Sequence, residues 1–225
     1  MTSSSDRPKL KGVELVQDVS RLSSPVDGFL RRHRHRVKTT FDDGSRTETY
    51  LVDYADRVVE RREAVVVVVY AKGPTPEETL LLLRSQLRYP VYVVEGRPCF
   101  LELIAGVLEH PESVAACVVR ELAEEAGIDV DEGMVVPLGP AFYPLPAAFT
   151  ERLHLAAVEL PVETIRAVVG SSPDGDGSPF EEGAELIALT MGEALRIIDQ
   201  GLEQPHRLDD AKTELGLRRL WARLG

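Results

Sequence analysis

The sequence predicts an α/β fold in which helices pack on a mixed β-sheet. The continuous apolar run 64–70 is typical of a central strand that is buried on both faces. Two segments, 113–126 and 209–224, place apolar residues close to a 3.6-residue period, which indicates amphipathic helices. Strand-like segments stand before, between and after them, and this mixture favours helices layered on a sheet.

The first 62 residues predict short strands joined by turns. Strand-like stretches lie at 13–17, 29–41 and 47–54, and Asp42-Asp43-Gly44-Ser45 is a suitable hairpin turn between the last two. We therefore expect a small β-rich region at 1–62, with a role in dimerisation, and a larger domain at 63–225. The basic run 31–36 on this hairpin is either a charged strand face or the source of an arginine that reaches a substrate phosphate.

The rest of the chain alternates between strands, helices and loops. A helix is expected at 191–200, closed by Gly201. Further strands are expected at 80–87, 99–104, 133–142, 153–160 and 186–189.

A long segment, 170–183, is rich in Gly, Ser, Pro and Asp and predicts a surface loop or an active-site lid. Asp174, Asp176, Ser178 and Glu185 match positions 1, 3, 5 and 12 of a calcium-binding loop. Pro179 stands where that loop requires glycine, which argues against calcium.

Composition limits the classes of partner. The chain is 44% hydrophobic, so it can bury a sizeable core, and its net charge of −11 argues against nucleic acid as the main partner. Cys99 and Cys117 are the only cysteines, which favours free thiols in a reducing compartment. The polar N-terminus lacks a signal peptide, and no apolar run approaches the ~18 residues of a membrane span. We expect a cytoplasmic protein that does not bind membranes.

The acidic residues of the segment 113–126 point to its chemistry. Glu121, Glu124 and Glu125 stand at i, i+3 and i+4, so on a helix they share one face with Cβ atoms roughly 5–6 Å apart. Three neighbouring carboxylates repel one another, and a divalent cation would turn that repulsion into chelation. Oxygen ligands of this kind suit Mg²⁺, which also binds substrate phosphates.

The residues around this triplet support the same interpretation. Arg120 can pair with Glu112 and hold the preceding loop against the helix. Gly106 allows the backbone to pass where a Cβ would intrude. Pro111 and Ser113 are suitable helix-start residues and Gly127 is a suitable stop.

This stretch resembles the Nudix box, which reads Gly, five residues, Glu, seven residues, then Arg-Glu-aliphatic-x-Glu-Glu-x-Gly-aliphatic. The fixed places are filled by Gly106, Glu112, Arg120, Glu121, Leu122, Glu124, Glu125, Gly127 and Ile128. The resemblance implies the Nudix α/β/α sandwich with a mixed sheet. It also implies two or three Mg²⁺ ions, with Mn²⁺ as a possible substitute, on Glu121, Glu124, Glu125 and the Ala105 carbonyl.

Segments outside the box resemble ADP-ribose pyrophosphatases and related nucleotide-sugar hydrolases. They are 86–88, 100–106, 143–147 and 210–213, and Pro144 stands 16 residues past Ile128, as a proline commonly does in those enzymes. The resemblance implies Mg²⁺-dependent hydrolysis of ADP-ribose to AMP and ribose 5-phosphate, by an enzyme that is often a homodimer. The alternatives are a UDP- or GDP-sugar diphosphatase and a non-catalytic nucleotide-sugar sensor. Pro146-Ala147 departs from the Pro-Gly frequent in the family, which leaves the sugar open.

The remaining site residues follow from the same resemblance. Glu151 is the expected general base, with Glu181 and Glu182 as rivals, and a surface acid is the alternative reading. Glu124 and Arg120 are assigned to catalysis beside it. Four residues are expected to contact substrate. For the two arginines among them the alternative is an exposed strand end, and for the glutamate the alternative is an ion pair with an arginine. The four residues are Arg84, Arg88, Glu102 and Pro144.

Overall fold

The computed structural model describes residues 10–18, 30–57, 63–97, 99–172, 184–201 and 207–225. The chain divides into two compact units. The smaller unit comprises Met1–Arg62 and Leu145–Glu151, and the larger comprises Glu63–Pro144 and Arg152–Gly225. The sequence did not indicate that 145–151 would group with the N-terminal region.

The smaller unit contains a three-stranded antiparallel sheet. Its strands are β1 (Leu10–Asp18), β2 (Leu30–Phe41) and β3 (Tyr50–Arg57), in that spatial order. The segment 145–151 lies along β3, where the Ala55 amide donates to the Ala148 carbonyl (2.8 Å) and the Thr150 amide donates to the Ala55 carbonyl (3.3 Å).

The basic run on β2 pairs with acids on the neighbouring strand. Arg31 and His33 contact Asp56, at 3.1 and 3.0 Å. Arg34 makes two 2.8 Å hydrogen bonds to the carboxylate of Asp53. These cross-strand pairs are the arrangement expected of a charged strand face.

The larger unit contains a seven-stranded mixed sheet with the order β10-β5-β4-β9-β8, in which β6 pairs with β5 and β7 pairs with β4. Among the strands that the structure describes in this sheet, β4 and β9 are the one parallel pair. The strands are β4 (Glu63–Ala71), β5 (Leu80–Gln86), β6 (Phe100–Glu102), β7 (Ile104–Val107), β8 (Val135–Pro137), β9 (Arg152–Glu159) and β10 (Glu185–Thr190).

Five helices are described in the larger unit. They are α1 (Tyr89–Glu95), α2 (Val114–Ala126), α3 (Val162–Val168), α4 (Met191–Gln200) and α5 (Ala211–Leu224). Two 3₁₀ turns, Pro76–Glu78 and Glu132–Met134, complete the list. None of the helices in the described part of the chain is long and apolar enough to cross a membrane.

The central strand β4 separates two hydrophobic layers. Val65, Val67 and Val69 pack with residues of α2 and α3, whereas Val66 and Val68 pack with residues of α4 and α5. All five valines are fully buried, because successive side chains of a strand point to opposite faces. The predicted α/β/α sandwich is therefore confirmed.

Several local features differ from the predictions. The strand expected at 99–104 is divided into β6, which pairs with β5, and β7, which pairs with β4. The strand expected at 133–142 is only Val135–Pro137 long, because the chain turns at Gly139 (φ 85°) and Pro140 cannot donate to a ladder. The short helices α1 and α3 were not anticipated. Each has seven residues, too few for a recognisable period.

The calcium pattern and the rival bases Glu181 and Glu182 fall largely on 173–183, outside the described residues. Glu185 is described, as the first residue of β10. Cys99 and Cys117 are free thiols, as expected.

Candidate metal and substrate site

Helix α2 carries the acidic triplet, and the local sequence defines both of its ends. At the N-terminus, the Ser113 hydroxyl accepts a hydrogen bond from the Ala116 amide (3.0 Å). At the C-terminus, Gly127 adopts the left-handed conformation (φ 64°) and its amide donates to the Ala123 carbonyl. Ser113 and Gly127 therefore act as the predicted start and stop signals.

Two of the three carboxyl groups of the triplet are buried. Glu121 and Glu125 are 7% and 8% exposed, whereas Glu124 is exposed. Burial raises the pKa of Glu121, and the like charges of Glu124 and Glu112 raise it further, while Arg120 acts in the opposite direction. The cluster therefore resists carrying more negative charge unless a cation compensates it.

Gly106 in β7 provides the space for one of these carboxylates. A Cβ at this position would lie 1.7 Å from Cδ of Glu121, so any larger residue would collide with the carboxyl group. The glycine of the box therefore brings the Glu121 carboxylate against β7. Its neighbour Ala105, the expected carbonyl ligand, pairs with Val66 in the same sheet.

Arg120 connects the box helix to the segment before it. Its guanidinium donates to Glu112 (3.0 and 3.2 Å) and to the Val107 carbonyl (2.9 Å). It also donates to Glu121 (2.7 Å) and Glu124 (3.0 Å). Burial alone would raise the pKa of Glu112, but Arg120 holds that pKa below its ordinary value. The expected pair between Arg120 and Glu112 is present. Arg120 also joins two of the metal-ligand candidates, Glu121 and Glu124.

Arg84 in β5 has no solvent-exposed surface, and its Nη1 atom forms an ion pair with Glu125. The alternative of an exposed strand end is therefore wrong for this residue. The expected contact between Arg84 and substrate stays a prediction, but the guanidinium is turned toward the box helix in this structure.

A second buried carboxylate, Glu102 in β6, lies in a cluster of donors. It accepts hydrogen bonds from Arg88 (2.6 Å), from Gln86 (3.0 Å) and from the Lys212 ammonium. Burial opposes ionisation of Glu102, but Lys212 and Arg88 together lower its pKa. The pKa of Arg88 is raised against the effect of burial, chiefly by Glu102 and in part by Glu125, so the charges of this cluster and the box interact.

Lys212 is a site residue that sequence reasoning missed. It precedes Thr213 at the start of α5 and also contacts Asp210 (2.7 Å), whose carboxylate caps that helix. The stretch 210–213 carried part of the family resemblance, and that was the signal available. Its partner Glu102 is 110 residues away in the chain, so the pairing could not be inferred from spacing.

Two predicted site residues remain, Pro144 and Glu151. Pro144 is exposed, and it is the last residue of the segment Glu63–Pro144 of the larger unit. Glu151 belongs to the smaller unit, where Nε of Arg57 donates to its carboxylate at 2.7 Å. The assignment of Glu151 as the base stays a prediction.

The donor set of the box fits a hard divalent cation. Within the described residues, no group of three or more His, Cys, Asp or Glu side chains already converges on one point, since the box acids here contact Arg84 and Arg120. Even so, the helix offers three carboxylates on one face. Glu121 and Glu125 are buried, and Glu121 fills space that only a glycine at position 106 leaves open. Carboxylate oxygens of this kind are ligands for Mg²⁺ or Mn²⁺.

Comparison with known proteins identifies the family. The model of the NUDIX domain matches residues 60–190, more than half of the chain. The chain belongs to the Nudix hydrolase family. The family resemblance inferred from the box is therefore confirmed.

Proteins named as pyrophosphatases are similar to most of the chain. A GDP-mannose pyrophosphatase of Yersinia enterocolitica is 32% identical over 187 residues, which cover 82% of this chain and 84% of that protein. An ADP-ribose pyrophosphatase of Escherichia coli K12 is 25% identical over 167 residues, which cover 74% and 70%. A crystal structure described as an ADP compounds hydrolase matches with a TM-score of 0.60 at 20% identity, covering 99% of this chain and 97% of the other, which supports the fold.

Substitution of Gly106 tests the position of the Glu121 carboxylate. We expect Gly106→Ala to weaken Mn²⁺ binding about 10–100-fold, because the added methyl group displaces that carboxylate. Titration calorimetry measures the dissociation constant. Gly133→Ala is the matched control, since a Cβ there meets no atom within 4 Å. Equal affinities in the two variants would show that Glu121 is not held for a cation.

Proposed function

We propose that this Nudix enzyme hydrolyses the diphosphate bond of a nucleoside-diphosphate sugar and releases a nucleoside monophosphate and a sugar phosphate. The observation that carries the proposal is the buried acidic face of α2, where Glu121 lies against Gly106 and Arg120 joins Glu121, Glu124 and Glu112. The names of the relatives support the substrate class.

ADP-ribose is the preferred substrate on the evidence of the segments flanking the box. GDP-mannose is the second candidate, because the GDP-mannose pyrophosphatase relative has the greater identity and coverage of the two relatives compared. Both substrates present the same diphosphate to the box, and they differ in base and sugar.

The chemistry needs a neutralised diphosphate and an activated water. Glu121, Glu124, Glu125 and the Ala105 carbonyl would hold a divalent cation, Mg²⁺ or Mn²⁺, which when bound would supply positive charge and make the attacking water more acidic. Water oxygen forms a bond to one phosphorus while the bridging P–O bond breaks. The water proton passes to a base, and the bridging oxygen leaves with the departing phosphate.

The side chains of this chain have distinct roles in that reaction. Arg120 fixes Glu121 and Glu124 and so keeps two ligands in register. Of Arg84 and Arg88, the better candidate for contact with phosphate or ribose is Arg88, which lies between β5 and α1. Its side chain is 44% exposed, and Glu102 accepts a hydrogen bond from its Nε atom. Lys212 and Arg88 favour the ionised form of Glu102, and Gln86 donates a hydrogen bond that helps to orient it.

A turnover screen tests the proposed function. ADP-ribose, GDP-mannose, UDP-glucose and ATP are incubated with enzyme and Mg²⁺ or Mn²⁺, and the nucleotide products are separated by chromatography. We expect a nucleoside monophosphate to be released from ADP-ribose, from GDP-mannose or from both, and little turnover of ATP. Saturable binding of a nucleotide sugar without any product would instead favour the sensing module.

In the same assay, Glu124→Gln should lower kcat/KM by roughly tenfold or more, because one cation ligand is lost. This carboxylate is exposed, so the fold should tolerate the change. Glu163→Gln on α3 is the control, since Glu163 is exposed and accepts a hydrogen bond from Arg166 on the same helix. Similar kcat/KM values for the two variants would argue against Glu124 as a ligand.

The base assignment has its own test. If Glu151 accepts the water proton, Glu151→Gln lowers kcat on the order of 10²–10⁴-fold. Glu48→Gln, an exposed acid of the smaller unit, is the control. The contrary result is a kcat that falls only a few-fold, together with an unfolding temperature that is lowered in both Glu151→Gln and Arg57→Gln. It would assign Glu151 a structural role, through its ion pair with Arg57.

A further inference from the structure

Arg84 occupies a strand position where the surrounding sequence provides hydrophobic residues. Its neighbours Leu81, Leu82 and Leu83 are all fully buried, and so is Arg84. Leu82 and Arg84 point to the same face of β5, the face on which Leu82 packs with the box helix α2. A guanidinium in this place loses its hydration, and that cost requires a nearby anion. The anion is Glu125, which forms the ion pair with Nη1 of Arg84.

The two arginines around the box share its acidic residues between them. Arg120 donates to Glu112, Glu121 and Glu124, whereas the ion pair of Glu125 is with Arg84. Glu125 therefore has a cation of its own, supplied from the sheet. This partner differs from Arg120 in one respect that matters: Arg120 lies at the surface edge of the box, but Arg84 is fully enclosed and cannot move into solvent when another cation arrives.

We propose that Arg84 is a positioning residue that acts through Glu125 as a permanent internal counter-cation. It holds this carboxylate in place and balances its charge before a divalent cation binds, and by its own charge it lowers the affinity of the box for that cation. The inference rests on the proposed function, because it takes the box to be a divalent-cation site. It also gives Arg84 a role that requires no contact with substrate.

Two consequences follow from the charges. Without Arg84, Glu125 is buried with less compensation, so the cation-free protein loses stability. A divalent cation then binds more tightly, because the fixed positive charge no longer repels it across a short, poorly screened distance. Loss of Glu125 alone also destabilises the cation-free protein, since it leaves the Arg84 charge buried without that anion.

The test compares four proteins that have been treated with chelator. They are the wild type, Arg84→Met, Arg84→Lys and, as a control, Arg97→Met, which breaks an arginine–carboxylate pair with Asp209 outside the box. Thermal unfolding is measured with and without saturating Mn²⁺, and the Mn²⁺ dissociation constant is measured by electron paramagnetic resonance.

We expect Arg84→Met to unfold at a lower temperature in chelator, to bind Mn²⁺ about tenfold more tightly, and to gain more unfolding temperature from Mn²⁺ than the wild type does. Arg84→Lys should keep an affinity close to that of the wild type, and so should Arg97→Met. An affinity of Arg84→Met equal to or weaker than that of the wild type would overturn the inference. A wild type that binds no Mn²⁺ would instead contradict the proposed function.

A second comparison covers the case in which Arg84→Met fails to fold. Glu125→Gln and the double variant Arg84→Met/Glu125→Gln are unfolded in chelator. The double variant should be the more stable of the two, because it buries neither charge alone. A double variant less stable than Glu125→Gln would show that Arg84 and Glu125 are not coupled, and would overturn the inference without any measurement of cation binding.

Discussion

The constraint on which the structure depends is the burial of two carboxylates, Glu121 and Glu125, on a helix that is otherwise packed on a hydrophobic sheet. Buried negative charge is unfavourable unless positive charge stands close to it. The surroundings of α2 meet this need with arginines from two sides, while Gly106 leaves the space that the Glu121 carboxylate fills. This arrangement would destabilise an ordinary helix, but it suits a helix that binds cations.

Much of the fold was predictable because its signals are local. The valines of β4 alternate between two layers, and the apolar periods of α2, α4 and α5 agree with the helices observed. The short helices α1 and α3 escaped because two turns are too few to establish a period. The strand expected through 133–142 ends early at Pro137-Leu138-Gly139-Pro140, where the turn at Gly139 overrides the apolar pattern.

The candidate site divides in the same way. The box could be predicted, since its residues lie on one helix and the segment just before it, and the pair of Arg120 with Glu112 follows from their spacing. The surroundings of Arg84, Glu102 and Lys212 could not be predicted, because they depend on which strands pair and where α5 begins. A buried arginine next to leucines gives no local sign of the carboxylate that it will meet.

The central claim is that α2 gathers its carboxylates to bind a divalent cation. The most direct test is a crystal grown with Mn²⁺ and measured at the manganese absorption edge. The account predicts an anomalous peak within about 2.5 Å of carboxylate oxygens of Glu121 and Glu125. A fully active enzyme whose only manganese peaks lie away from this helix would contradict it.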